Sequence, residues 1–351
     1  MKKEKNNWPL IGNEHITEFL GKILEKDKVS GTYIFNGPDN LGKTTIAKYF
    51  AKNLLCQERK GNSPCENCPV CNHFNISRKN NEETEGDGES MNTHGDFHLI
   101  KKEKEKKNIS IEQVRDFIRA LSMSSFLNSY KIGIIKHAES LSGEAANALL
   151  KTLEEPKKDV IIILITHSIE TLPKTIVSRS KILNFHPVKF DTIYEHLIND
   201  YGASRSVAKN FACLSLGRPA LAVKFLEDKD FLETYKERAE SFVKIFSFDI
   251  NDRLVAIESL TGRMDTGQTA VEATKRIIEI WQGVARDWML LEYGHIDLVQ
   301  HKILEEQLER IRNRFTFRHL LNFNKTLEKG RENLFANVNP KLVLENIALS
   351  I

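Results

Sequence analysis

Apolar positions in the first half of the chain follow two alternating rhythms. A continuous run, Thr32-Tyr33-Ile34-Phe35, reads as a buried strand, and after a glycine-rich turn Ile46, Ala47, Phe50, Ala51, Leu54 and Leu55 fall on one helix face. An amphipathic stretch at residues 16–24 precedes them. Residues 97–100, 131–135 and 160–166 are further strand candidates, with helical patterns at 111–121 and 145–155 between them. Strands alternating with helices predict a parallel sheet with helical crossovers. After about Pro187 the strand signals stop. Short helices are expected at 204–216 and 219–226, and longer ones from about Phe231 to Ile351. Stripes such as Ile277, Ile278, Ile280, Trp281, Val284 and Trp288 have ordinary core spacing.

Length and composition refine this picture. A chain of 351 residues, 40% of them hydrophobic, favours two or three domains. Residues 78–95, rich in Asn, Glu, Gly and Ser, lack the apolar content that offsets ordering and read as a flexible surface insertion. The lysine-rich run at 101–107 also carries two glutamates and reads as a solvated loop. With 51 Lys+Arg against 48 Asp+Glu, the net charge of +3 does not mark a generic polyanion binder. No apolar run approaches the roughly 20 residues that span a bilayer, and the charged start has no hydrophobic signal core behind it, so a cytoplasmic protein without a membrane partner is expected.

Three local patterns carry chemistry. Gly37 to Thr44, GPDNLGKT, matches the phosphate-loop pattern G-x-x-x-x-G-K-[ST] and sits between a predicted strand and a predicted helix. Gly37, Asn40 and Gly42 let backbone N–H groups wrap phosphate oxygens. Lys43 neutralises the distal phosphates, Thr44 is placed to hold magnesium, and Thr45 continues the helix start, whose dipole favours an anion. ATP or ADP is the expected ligand. A hydrolysing site also needs carboxylates at the end of a second strand, to hold magnesium and orient water. The strand at 131–135 is followed instead by Lys136-His137-Ala138-Glu139, so a cation and an imidazole stand where the acids should be. Magnesium is left without its carboxylate, and hydrolysis by this chain alone is not expected. Third, Cys56, Cys65, Cys68 and Cys71 give C-x8-C-x2-C-x2-C, a four-thiolate set with no open position, which points to structural zinc. Cys213 lies apart in an apolar helical context, and His73 is not needed as a ligand.

A phosphate loop followed by a four-Cys module after its helix resembles the bacterial clamp-loader family of AAA+ proteins. The segments DFHLI (96–100), ISIEQVRDF (109–117), AANALLKTLEEP (145–156), LPKTIVSRS (172–180) and NVNPKLVLENI (337–347) resemble that family too, so the likeness covers nearly the whole chain. The resemblance implies a RecA-like AAA+ α/β domain over 1–187, with the zinc module at about 56–71 and the insertion at about 78–95. It further implies a small helical lid over 188–228 and an all-α collar domain over 229–351. Motor subunits of the family carry the Asp-Glu pair and delta prime subunits lack it, as this chain does. An ATP-hydrolysing motor subunit is the alternative. A zinc-dependent DNA-binding protein fits less well, because no basic recognition helix adjoins the cysteines. By the same resemblance, Thr166 stands near the first sensor position, Arg218 near the second-sensor arginine, and Arg179 in Ser178-Arg179-Ser180 at the family's Ser-Arg-Cys motif, here ending in Ser. The implied role of Arg179 is an arginine finger in trans. The implied partners are the gamma/tau motor subunits and the delta subunit in a pentamer, with the sliding clamp and primed DNA beyond them. The implied setting is a DNA-directed DNA polymerase holoenzyme, a nucleotidyltransferase of DNA replication.

Overall fold

In the computed structural model, which describes residues 8–75, 91–103, 105–125, 130–155, 157–262, 267–312 and 315–351, the predicted strands join one six-stranded sheet. The strands are β1 (Gly31–Asn36), β2 (Met91–His94), β3 (Phe97–Ile100), β4 (Lys131–Lys136), β5 (Val160–Thr166) and β6 (Ser180–Asn184), in the order β2-β3-β4-β5-β1-β6. All pairings are parallel except β2 with β3. The inner strands are covered on both faces, which is why they read as unbroken apolar runs; all seven residues of β5 are buried. Residue parity assigns each face. Tyr33, Phe35, Ile132, Ile134, Ile161 and Ile163 join the core that includes α1 (Glu14–Glu25) and α2 (Lys43–Leu55). Ile34, Ile135, Ile162 and Leu164 join the core formed with α3 (Ile111–Ser122) and α4 (Gly143–Glu154). Capping fixes the helix starts on that side: Ser110 and Gln113 form a reciprocal capping box, and the Ser142 hydroxyl accepts from the Ala145 N–H.

Two strands went unread in the sequence. The insertion expected over 78–95 gives way to β2 at Met91–His94, which turns back on β3 through Gly95-Asp96 so that His94 pairs with Phe97. Residues 78–90 lie outside the described residues. At the other edge β6 pairs with β1, after a short helix α5 (Lys174–Val177).

The chain divides into two compact units: residues 1–192 with 218–220, and residues 193–217 with 221–351. From α6 (Phe190–Asn199) onward the elements are helical: α7 (Arg205–Leu214), α8 (Pro219–Glu227), α9 (Lys229–Ser247), α10 (Ile250–Thr261), α11 (Gln268–Glu292), α12 (Glu305–Arg312), α13 (Phe317–Phe335) and α14 (Pro340–Leu349). The second unit has its own core around Phe242, Phe246, Trp281, Trp288 and Phe323, with the Trp281 indole donating to Ser241 Oγ at 3.0 Å. Among the described residues no helix is long and apolar enough to cross a membrane.

Candidate functional site

Strand order reverses direction around β1, whose neighbours are β5 and β6, and a crevice at such a switch point, outside the carboxyl ends of the strands, is where open α/β sheets bind ligands. The loop from Gly37 to Gly42 leaves β1 at that point. Gly37 has φ +141° and lies against the Phe185 carbonyl, where an added Cβ would fall 2.4 Å from the oxygen. Its N–H donates to Thr166 O at 3.3 Å. Asn40 and Gly42 also take positive φ, and Gly42 caps the start of α2. The Asn40 carbonyl accepts the Ala220 N–H at 3.1 Å, which brings Arg218 within two residues of a loop contact. Thr44 is half-buried and Thr45 exposed. Thr166 is buried, and its hydroxyl donates to Ser168 O at 2.9 Å while accepting from the Ser168 N–H.

Lys43 is folded onto its own loop. Its buried ammonium donates to the Gly37 and Pro38 carbonyls and pairs with Asp39 at 3.5 Å. Burial pulls its pKa down, and Asp39 works against that pull.

At the end of β4 the cation predicted from the sequence is in place: Lys136 is the strand's last residue and His137 follows in the left-handed region. Glu139, on the turn Ala138–Ser140, is mostly buried and accepts from His137 Nδ1 at 3.3 Å and His167 Nδ1 at 2.8 Å. Burial alone would raise its pKa, but the two imidazole hydrogen bonds outweigh it and hold the carboxyl well below the usual range. The same contact with Glu139 raises the His167 pKa. In the sequence Glu139 stands beyond the two positions where the acids are expected, and no motif there singles out His167. The available signal was that each histidine directly follows one of two adjacent strands, whose ends are in register at Lys136 and Ile165.

Arg179 precedes β6 and is exposed. It donates to Thr175 O at 3.1 Å and pairs with Glu154 Oε1 at 2.9 Å.

The four cysteines converge. Their sulfurs lie within 4.8 Å of one another, with Cys56···Cys68 at 4.0 Å, Cys65···Cys71 at 3.9 Å and Cys56···Cys71 at 3.7 Å. A tetrahedron with metal–sulfur bonds of about 2.3 Å has edges of about 3.8 Å, so this set fits zinc. Backbone N–H groups of Cys65, Cys68 and Cys71 point at the sulfurs of Cys56, Cys65 and Cys68 at 3.2, 3.3 and 3.5 Å, which suits thiolate ligands. The module is tied to α2 by Lys52, which donates to Glu66 Oε2 at 2.5 Å and Asn75 Oδ1 at 2.9 Å.

Residues 12–189 match the family model described as DNA polymerase III, delta subunit. The chain is 25% identical over 342 residues to the DNA polymerase III subunit delta' of Bacillus subtilis, covering 96% of this chain and 95% of that one. It is 32% identical over 184 residues to the tau subunit of the same organism, a match to 52% of this chain and 30% of tau, so it spans about a third of that relative. The crystal structure of a DNA polymerase III gamma subunit-related protein from Thermotoga maritima shares the fold, with a TM-score of 0.50 and 20% identity over 95% of this chain and 97% of that one.

Proposed function

Because this chain belongs to the DNA polymerase III clamp-loader family, we propose that it serves as a delta prime type subunit, helping to load the sliding clamp onto primed DNA in the cytoplasm without hydrolysing ATP itself. The observation that carries this reading is the end of β4, where Lys136 and His137 replace the acids and Glu139 is engaged by two imidazoles. A charged lysine cannot ligate magnesium, and the Glu139 oxygen that His137 and His167 both hold is not free to orient water. Residues 1–187 then act as a RecA-like AAA+ domain with its zinc module, residues 188–228 as the lid, and residues 229–351 as a collar that joins the gamma/tau and delta subunits in a pentamer.

In this arrangement Arg179 is an arginine finger for the ATP of a neighbouring motor subunit. The pair it makes with Glu154 involves two half-exposed side chains, worth about 0–1 kcal/mol, so its release costs little. A guanidinium is always charged, and its planar fork can meet the charge that spreads over a transferring phosphoryl group.

The test reconstitutes the complex with Arg179→Ala. Assembly should be normal while DNA- and clamp-stimulated ATPase falls, by less than the ~10³-fold scale of such residues because other sites keep their own fingers. Unchanged ATPase and loading would defeat the finger. Steady hydrolysis by the isolated chain, lost in Lys43→Ala, would favour a motor subunit instead.

A further inference from the structure

We propose that the phosphate loop of this chain binds a nucleoside polyphosphate without a divalent metal ion, with the Lys136 ammonium supplying the positive charge that a metal would supply there. This rests on the reading that the loop holds nucleotide phosphate.

Four lysines point to it. Ile100 of β3 and Ile135 of β4 are paired, so Lys101 and Lys136, the next residue of each chain segment, lie side by side at the carboxyl edge of the sheet. Parity sets their direction. Phe97, Leu99, Ile132 and Ile134 face the core that contains α2, whereas Ile100 and Ile135 face the opposite core, which directs Lys101 and Lys136 to the α2 side. That side carries Lys43 at the start of α2 and Lys48 further along it. The lysines feel one another. The Lys48 pKa is lowered by burial first and then by Lys136 and Lys101, and Lys136 also acts on Lys43.

Such a cluster repels a divalent cation and attracts a polyanion. Asp39 is already paired with Lys43, and Glu139 Oε1 already accepts from two imidazoles. A metal at Glu139 would have to compete with His167 at 2.8 Å. The Glu139 Oε2 atom is buried without a hydrogen-bond partner, so a metal seat at Glu139 would have to be built on that atom, and the experiment addresses it.

The full zinc-loaded chain is titrated with a fluorescent ADP analogue, and with inorganic tripolyphosphate as competitor, in divalent-depleted buffer without chelator, then with millimolar magnesium. Binding should be at least as tight without magnesium as with it. Lys136→Met should weaken metal-free binding roughly tenfold and gain nothing from magnesium. Lys136→Asp should lose at least as much and recover part of it when magnesium is added. Wild-type affinity that rises tenfold or more with magnesium would overturn the proposal and assign a metal seat to Glu139. Absence of binding in both buffers would overturn it together with the reading of the loop as a nucleotide site, and would leave the clamp-loader assignment, which rests on other residues, standing.

Discussion

At the carboxyl edge of the sheet one carboxylate is shared by two imidazoles, and its pH behaviour can be worked out by sign. The His167 pKa is raised above its ordinary 6.5 by Glu139, so its contribution to stability is fully present below 6.5 and is lost as pH rises through the folded-state value. Glu139 is lowered from 4.5 by its imidazole hydrogen bonds, against the opposing effect of burial, so its contribution is present above 4.5 and is lost only on acidification. The pair is therefore strongest between those limits and weakens upward. His167 is 48% exposed, which keeps the effect modest. The stability difference between wild type and His167→Gln, read from urea unfolding, should be largest near about pH 6 and shrink as pH rises through the folded-state value of His167. A difference that grows with pH would show that the pair does not form. Gly37 gives a sharper test. An alanine Cβ would meet the Phe185 carbonyl at 2.4 Å in a left-handed backbone, so Gly37→Ala should destabilise the sheet unit by about 1–3 kcal/mol, measured by the same unfolding.

At the scale of elements, the four-cysteine module shows why some structure is legible and some is not. Cys65, Cys68 and Cys71 come from one short segment, and Cys56 ends α2, so chelation is a local property that spacing alone reveals. If the cysteines hold zinc as proposed, losing a ligand should loosen residues 56–75 first, since metal binding is coupled to local folding. Hydrogen exchange of Cys68→Ser should show lost protection there and at the end of α2, while the helices of the second unit keep theirs; uniform loss across both units would refute a local role. The central strands were readable because burial on both faces makes them continuously apolar. The edges were not. Three of the five residues of β6, Lys181, Ile182 and Asn184, are exposed, and β2 reads Met-Asn-Thr-His, so each edge strand owes its existence to the neighbour it pairs with, β1 and β3 respectively. The pairing of Glu139 with His167 was hidden for the same reason, because it depends on the register of β4 against β5.

At the scale of the molecule, each of the two compact units has a core of its own, and this predicts two separable unfolding transitions. Two of the three tryptophans, Trp281 and Trp288, are in the helical unit and Trp8 is in the sheet unit, so fluorescence mainly follows the former. The helical unit contains a polar node that can be broken selectively. Asp287 is fully buried and accepts from the N–H groups of Gln300 at 3.0 Å and His301 at 2.7 Å, and from His301 Nδ1 at 2.7 Å. The other nitrogen of that ring meets the Tyr235 hydroxyl at 2.8 Å, and the two rings lie nearly parallel, 3° apart. The node thereby joins α9 and α11 to the segment before α12. Asp287→Ala strips this node of its common acceptor and leaves two buried N–H donors and an imidazole without their partner, a loss on the order of 3–5 kcal/mol. For a unit of this size that corresponds to a fall in Tm on the order of 10 °C. The expected result is a lowered fluorescence transition, while the transition of the sheet unit stays where it was. If both moved together, the chain would unfold as one cooperative body, and the helical unit could not be weakened without the unit that carries the phosphate loop. If they move apart, and the helical unit is the assembly surface proposed above, Asp287→Ala should impair entry into the complex while leaving the sheet unit and its loop intact, separating the two in a single variant.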